Sequence, residues 1–193
     1  MPLTPKSGQA TSPRQYPQSP LAAQNGPTPL LLVDIDGVIS LFGFPRDTPP
    51  AGSFHWIDGI PHFLSATAAQ HLLTLAAIFE LVWCSGWEER ANEHLPHLLG
   101  LPQDLPFLRF ERTAPAGTSQ TQSLRGHWKL EAIDAYAGDR PLAWVDDCLD
   151  AACHEWAQAR TAPTLLVQTA PDVGLTELEA TRLAGWAAQR LAN

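Results

Sequence analysis

The pattern of apolar and polar positions after residue 28 alternates between two types. Short uninterrupted apolar runs, such as residues 30–35 and 142–145, are typical of strands that are buried on both faces of a parallel sheet. Between these runs lie stretches rich in leucine and alanine with one apolar face, which is typical of helices. Regular alternation of strands and helices predicts an α/β fold with helices on both faces of the sheet.

The individual elements follow from these patterns. Strands are predicted at residues 30–35, 78–84, 107–110, 142–145 and 164–168. Helices are predicted at residues 61–77, 88–99, 124–136, 150–160 and 175–191. Residues 39–59 are rich in Pro and Gly and predict an irregular loop or flap after the first strand. Together they predict a Rossmann-like three-layer sandwich with a mainly parallel five-stranded sheet and no separate cap domain.

Composition divides the chain into two parts. Residues 1–28 are rich in Pro, Ser, Gln and Thr and predict a disordered tail, whereas residues 29–193 suffice for one domain. The net charge is −8, and the tail carries Lys6 and Arg14 but no acid, so the domain is strongly acidic. This charge predicts neither a broad nucleic-acid surface nor attraction to an anionic membrane.

Location is indicated by three further features. No apolar run reaches membrane-span length, and no secretory signal precedes the domain. The three cysteines, Cys84, Cys148 and Cys153, form neither an even disulfide framework nor a paired metal spacing. We therefore expect reduced thiols in a cytoplasmic protein.

Two acids directly follow the first apolar run. Asp34 and Asp36 are two residues apart, so in an extended chain both carboxylates can face one site. They lie at the carboxyl end of the strand, where open α/β sheets bind ligands. Because two carboxylates so close repel each other unless a cation or a shared proton intervenes, the pair predicts a metal site.

Complementary groups follow other predicted strands or begin a helix. Ser85 and Gly86 come after the second strand and can donate hydrogen bonds to an anion. Lys129 lies near a helix start and suits a phosphate oxygen, while Asp146 and Asp147 end the fourth strand. Aspartate oxygens together with a substrate phosphate suit Mg²⁺. The set predicts a site of phosphoryl transfer.

Each of these residues also has a structural interpretation. The Asp34 pair could mark a turn, Ser85 could cap a helix, and Lys129 could be a solvated surface charge. Asp147 and Asp150 could cap the helix that follows them. The functional interpretation is favoured because all the motifs occur together and in order.

The chain resembles the haloacid dehalogenase (HAD) superfamily of phosphohydrolases, over roughly residues 29 to 170. Asp34-Ile35-Asp36-Gly37-Val38 matches its first motif, Ser85 its second, Lys129 its third and Asp146-Asp147 its fourth. The resemblance implies a Rossmann-like sheet with a flap after the first strand.

The resemblance also implies a role for each matched residue. Asp34 would be the nucleophile that forms an aspartyl-phosphate, and Asp36 the general acid and base. Mg²⁺ would be held by Asp34, Asp146 and the backbone carbonyl of Asp36. Ser85, Gly86 and Lys129 would bind phosphoryl oxygens, and Asp147, with Asp150 as a further candidate, would orient metal-bound water or Lys129.

Aromatic residues adjoin several of these motifs. Trp83 and Trp144 are predicted to be pocket wall, and Trp87 is a weaker candidate for substrate contact. His55 and Trp56 in the flap could lie over the site or be merely exposed.

The short spacing between motifs indicates an uncapped site. The segment from Asp36 to Ser85 must hold a helix and a strand, which leaves too little chain for a cap domain. A partner could supply a lid. The sequence does not distinguish between three classes of substrate: a small phosphate ester, a phosphoprotein and a nucleic-acid end. Alternatives to a Mg²⁺-dependent phosphatase are a catalytically silent binding module and, less favoured, a sugar-nucleotide transferase.

Overall fold

The computed structural model of the protein describes residues 28–110 and 127–191. Its strands are β1 (Leu30–Val33), β2 (Ser40–Leu41), β3 (Gly52–Ile57), β4 (Ile60–Ser65), β5 (Glu80–Trp83), β6 (Leu142–Asp146) and β7 (Thr164–Gln168). Its helices are α1 (Ala66–Leu75), α2 (Arg90–Leu99), α3 (Leu130–Ala137), α4 (Ala151–Ala159) and α5 (Glu177–Leu191). The predicted tail lies outside the described residues, apart from Thr28, and so does the predicted start of the third helix. Across the two described ranges, no helix is both long and apolar enough to cross a membrane.

A parallel sheet of four strands, in the order β5-β1-β6-β7, forms the centre of the described fold. Strand β1 pairs with β5 on one side and with β6 on the other, so Val33 lies between Trp83 and Val145. All four residues of β1 are buried, as its uninterrupted apolar run predicts. The α/β class and the parallel sheet are confirmed.

The predicted strand at residues 107–110 is reduced to a single bridge. Phe107 pairs in parallel with Trp83, and Leu108 donates its backbone N–H to the Trp83 carbonyl. The ladder goes no further because Pro106 has no N–H and the Phe110 N–H donates to the Glu88 carboxylate instead. The described sheet therefore has four strands where the sequence predicts five.

Helices cover both faces of the sheet. Alternate β1 residues point in opposite directions: Leu31 and Val33 pack with buried residues of α1, α2 and α5, and Leu30 and Leu32 with those of α3 and α4. This arrangement is the predicted three-layer sandwich.

The flap is a small antiparallel sheet in the order β2-β4-β3. The prediction of a helix from residue 61 is wrong at its start, because residues 60–65 form β4 and α1 begins at Ala66. Asp58 and Gly59 form the tight turn between β3 and β4, both with positive φ (51° and 78°). Ser65 caps α1 by accepting a hydrogen bond from the Ala68 N–H (3.1 Å).

Candidate active site

The register of the central sheet brings two aspartates side by side. Because Val33 of β1 pairs with Val145 of β6, Asp34 and Asp146 follow at neighbouring positions. The backbone N–H of Asp34 donates to the Val145 carbonyl (3.0 Å) and continues the ladder to the loop. Both carboxylates are buried at the carboxyl edge of the sheet, as the sequence predicts.

Lys129 joins these two carboxylates. Its ammonium nitrogen lies 2.9 Å from Oδ2 of Asp34 and 2.7 Å from Oδ2 of Asp146. Lys129 precedes α3 and is only 3% exposed, so the interpretation as a solvated surface lysine is wrong. The lysine can therefore act on an anion that reaches Asp34.

Asp146 is held by further donors. The indole N–H of Trp144 donates to its Oδ2 (3.1 Å), and the backbone N–H of Cys148 donates to its Oδ1 (3.0 Å). Trp144 is fully buried, which agrees with its predicted place in the wall, but its hydrogen bond to Asp146 was not anticipated. The signal lay in the spacing, since residues two apart in a strand share a face.

Asp147 adds a third carboxylate to the group. One oxygen from each of Asp34, Asp146 and Asp147 lies within 4.8 Å of the others. Gly37 makes room for this carboxylate, because a Cβ atom at Gly37 would lie 2.4 Å from Oδ2 of Asp147. Asp150, in contrast, caps α4 by accepting a hydrogen bond from the Cys153 N–H (3.0 Å).

Burial shapes the charge state of the cluster. Desolvation raises the pKa of Asp34 to about 6, with Lys129 opposing and Asp146 reinforcing the rise. Burial and the nearby Asp146 likewise raise the pKa of Asp147. Burial disfavours charge on Lys129, but Asp34, Cys84 and Asp146 outweigh it and raise the pKa of the lysine. Three acids thus share one cation.

These residues fit a divalent metal ion. The donors are carboxylate oxygens, which are the ligands that Mg²⁺ prefers. Burial raises the pKa of Asp34 and of Asp147, and a bound cation would favour their charged forms. Asp34, Asp146 and Asp147 could hold such an ion between them. Asp147 thus lies among the candidate ligands, whereas the resemblance implies that it orients metal-bound water or Lys129.

Ser85 and Gly86 lie at the end of the neighbouring strand. The backbone N–H of Cys84 donates to the Val33 carbonyl (2.8 Å), so Ser85 follows β5 beside the loop that begins at Asp34. Ser85 is buried, and Gly86 faces the indole of Trp128. The predicted phosphate-binding residues are thus at the same edge of the sheet as the acids.

The Asp36 side chain does not belong to the three-carboxylate cluster. Its Oδ2 accepts a hydrogen bond from the indole N–H of Trp87 (2.9 Å), and its Oδ1 lies 3.9 Å from Nδ1 of His62. His62 also bonds to Oγ of Ser40 (2.9 Å). The sequence does not point to His62, because the pattern of residues 61–77 predicts a helix there.

The other aromatic candidates lie elsewhere. Trp83 is fully buried, as predicted for a wall residue, and donates to Asn92 (3.0 Å). His55 bonds to Ser53 (2.8 Å) and lines a cleft beside Leu98 and Leu99 of α2, and Trp56 is 76% exposed. The flap histidine beside the acids is His62.

Comparison with known proteins identifies a family for this chain. Residues 30–180 match the family model described as "HAD domain in Swiss Army Knife RNA repair proteins". No curated protein matches. Among solved structures, a hypothetical protein from Xanthomonas campestris is similar at 13% identity, with a TM-score of 0.41, over 92% of this chain and 96% of that one.

The family match spans most of the chain and includes every residue of the candidate site. It covers β1 with its acids, the flap, β5 with Ser85, α3 with Lys129 and β6 with its acids. The protein is therefore a HAD-type hydrolase domain that belongs to the family of HAD domains found in Swiss Army Knife RNA repair proteins.

Proposed function

We propose that this domain is a Mg²⁺-dependent phosphatase that hydrolyses phosphomonoesters through an aspartyl-phosphate on Asp34. The observation that carries the proposal is the contact of one buried lysine with Asp34 and Asp146, beside the third carboxylate of Asp147. Such a set offers a nucleophile, a metal site and a cation for phosphate at one edge of the sheet.

Each residue of the site has a role in a hydrolysis of two steps. An oxygen of Asp34 attacks phosphorus while the bond from phosphorus to the leaving oxygen breaks, and Asp36 gives that oxygen a proton. Asp36 then takes a proton from the water that attacks the phosphorus of the aspartyl-phosphate and frees Asp34. Lys129, Ser85 and the Gly86 N–H stabilise charge on the phosphoryl oxygens throughout.

Mg²⁺ would be held by Asp34, Asp146 and Asp147, with the Asp36 backbone carbonyl as a further ligand by family resemblance. When bound, it would offset the repulsion between the carboxylates and an incoming phosphate. Trp144 and the Cys148 N–H would keep Asp146 oriented for this role.

Three classes of phosphomonoester are candidate substrates. The family description names RNA repair, so RNA with a 5′- or 3′-terminal phosphate belongs in a substrate panel beside small phosphate esters and phosphopeptides. Between β1 and β5 the chain forms only the small flap sheet and α1, so this segment holds no cap domain. The site would then accept a chain end or be covered by a partner.

Phosphate release from this panel, with Mg²⁺ or with EDTA, is the test. We expect Mg²⁺-dependent turnover of at least one substrate by the wild type, and a loss of about 10⁴-fold or more for Asp34→Asn. Asp134→Asn removes an exposed acid of α3 and should leave turnover unchanged. Full activity of the Asp34→Asn protein, or turnover that EDTA does not affect, would refute the proposal.

A further inference from the structure

Trp87 connects the end of β5 to the loop after β1. Its indole N–H lies 2.9 Å from Oδ2 of Asp36, which is 51 residues away in sequence. The Asp36 side chain is about half exposed, so a substrate can reach it while Trp87 holds one oxygen. From these contacts we infer that Trp87 is a positioning residue that fixes the Asp36 carboxyl group for proton transfer, an inference that rests on the proposed function.

The direction of this hydrogen bond decides which oxygen of Asp36 can carry a proton. An indole N–H donates and never accepts, so Oδ2 must present a lone pair to Trp87. A proton on Asp36 is then carried by Oδ1. His62 Nδ1 lies 3.9 Å from Oδ1, beyond hydrogen-bond length, so His62 leaves this oxygen open to the leaving group.

The indole itself is held by the flap. The ring of His62 meets the ring of Trp87 edge to face, with centroids 4.7 Å apart. Nδ1 of His62 bonds to Oγ of Ser40, which is buried in β2, and His62 lies in the neighbouring strand β4. The flap therefore fixes the indole that in turn fixes Asp36.

This contact changes the free energy of the step in which the leaving oxygen receives a proton. When Oδ1 of Asp36 gives up its proton, the bond between phosphorus and the leaving oxygen breaks and the Asp34 oxygen becomes bonded to phosphorus. A correctly oriented acid matters most for a leaving group that is a strong base. Loss of the Trp87 hydrogen bond should therefore slow alkyl phosphates more than p-nitrophenyl phosphate.

Trp87→Phe tests this inference because it keeps an aromatic ring and removes only the donor. We expect kcat/KM for glycerol 2-phosphate to fall about tenfold, the size of one hydrogen bond to a charged group, and to change less than threefold for p-nitrophenyl phosphate. In an Asp36→Asn background the Trp87→Phe change should have little further effect. His62→Ala should lower kcat/KM for glycerol 2-phosphate in the same selective way but by less. His62→Phe, which keeps a ring against Trp87, should recover part of that loss.

Trp156→Phe is the matched control. It removes an indole hydrogen bond to another aspartate, Asp134 (3.1 Å), on the opposite side of the sheet from the flap. Kinetics of this variant should match those of the wild type for both substrates. Equal falls for both substrates in Trp87→Phe, or effects of Trp87→Phe and Asp36→Asn that multiply, would overturn the positioning role.

A readout without turnover separates this inference from the proposed function. In ¹H–¹⁵N spectra, the indole signal that Trp87→Phe removes should shift upfield in Asp36→Ala and stay in place in Asp134→Ala. An unmoved signal refutes the contact itself. If the wild type turns over neither substrate nor any member of the wider panel, the proposed function fails, and the positioning role fails with it even where the signal shifts.

Discussion

At the scale of single residues, the candidate site depends most on Lys129. Its ammonium is within 2.9 Å of carboxylates from two neighbouring strands, and it is almost wholly buried. A buried lysine without partners would lose its charge, but the two aspartates raise its pKa and keep it protonated. Asp34 still has a raised pKa, because burial opposes the ionisation of its carboxyl group.

The pH dependence of stability should report this opposition. Burial raises the pKa of Asp34 from 3.8 to about 6, so its contribution to stability is present below pH ~4 and is lost as the pH rises through 6. Asn at this position does not ionise. Without metal, the stability of Asp34→Asn relative to the wild type should therefore rise by about 2 kcal/mol between pH 4 and pH 7. Urea denaturation in EDTA at several pH values measures this, and a difference that stays constant would contradict the burial argument.

At the scale of elements, the loop between β1 and β2 ties three strand ends together. Gly37, with φ of 75°, packs directly against the Asp147 carboxylate that follows β6. The hydroxyl of Thr169, just beyond β7, donates to the Gly37 carbonyl (2.9 Å). The position of the third carboxylate thus depends on a backbone conformation one strand away.

Gly37→Ala should displace Asp147. The new Cβ would lie 2.4 Å from Oδ2 of Asp147, so the carboxylate must move. We expect the Mg²⁺ concentration for half-maximal activity to rise about 10-fold or more, as for disturbed metal environments generally. Titration of phosphatase activity with Mg²⁺ measures the effect.

Gly43→Ala is the matched control for backbone strain. Gly43 also has a positive φ (82°), but a Cβ there would meet nothing within 4 Å. The positive φ should cost each variant about 1 kcal/mol of stability, and the displaced carboxylate adds a further loss in Gly37→Ala. Only Gly37→Ala should change the Mg²⁺ requirement. Equal Mg²⁺ requirements in the two variants would show that Asp147 does not serve the metal.

The sequence pattern predicts some strands of this fold and not others. Strands such as β1 and β6 are predictable because burial on both faces leaves an uninterrupted apolar run. The hairpin of β3 and β4 is harder to predict because its leucine and alanine neighbours suggest a helix, although Asp58-Gly59 is a common hairpin turn. The bridge at Phe107 depends on a side chain from another segment, which no local pattern records.

The contacts of the candidate site likewise differ in how far the sequence predicts them. Asp34 and Asp146 meet because strand ends of a parallel sheet share one edge, which the sequence pattern predicts. Lys129 reaches them from the start of α3, which the sequence also predicts, but its contact with both carboxylates is seen only in the structure. The contact of Asp36 with Trp87 and His62 depends on the orientation of the flap, which only the tertiary structure fixes.

At the scale of the whole molecule, the apolar core and the candidate site occupy different parts of the sheet. Two buried clusters fill the faces of the sheet, while the charged groups gather at the carboxyl edge of its strands. A metal ion that binds this edge would join β1 to β6, since its ligands come from the ends of both strands. Metal binding should therefore stabilise the fold as a whole.

Thermal unfolding should reveal this coupling. A ligand that binds only the folded state stabilises it by about 2.7 kcal/mol at one hundred times its dissociation constant, which is a Tm rise of several degrees. We expect saturating Mg²⁺ to raise the Tm of the wild type and to have much less effect on Asp146→Asn. A Tm that is unchanged by Mg²⁺ in the wild type would argue against a metal site at the three acids.

If Asp34 is the nucleophile, turnover passes through a phosphoenzyme that acid quenching can trap. Protein turning over its best substrate is quenched in acid, digested and analysed by mass spectrometry. We expect one phosphoryl group on the peptide that contains Asp34. With p-nitrophenyl phosphate, whose leaving group needs little help from an acid, its occupancy should be higher in Asp36→Asn, because that variant lacks the base that activates water for hydrolysis. Turnover with the phosphoryl group on another residue, or with no phosphoenzyme in either protein, would contradict this role of Asp34.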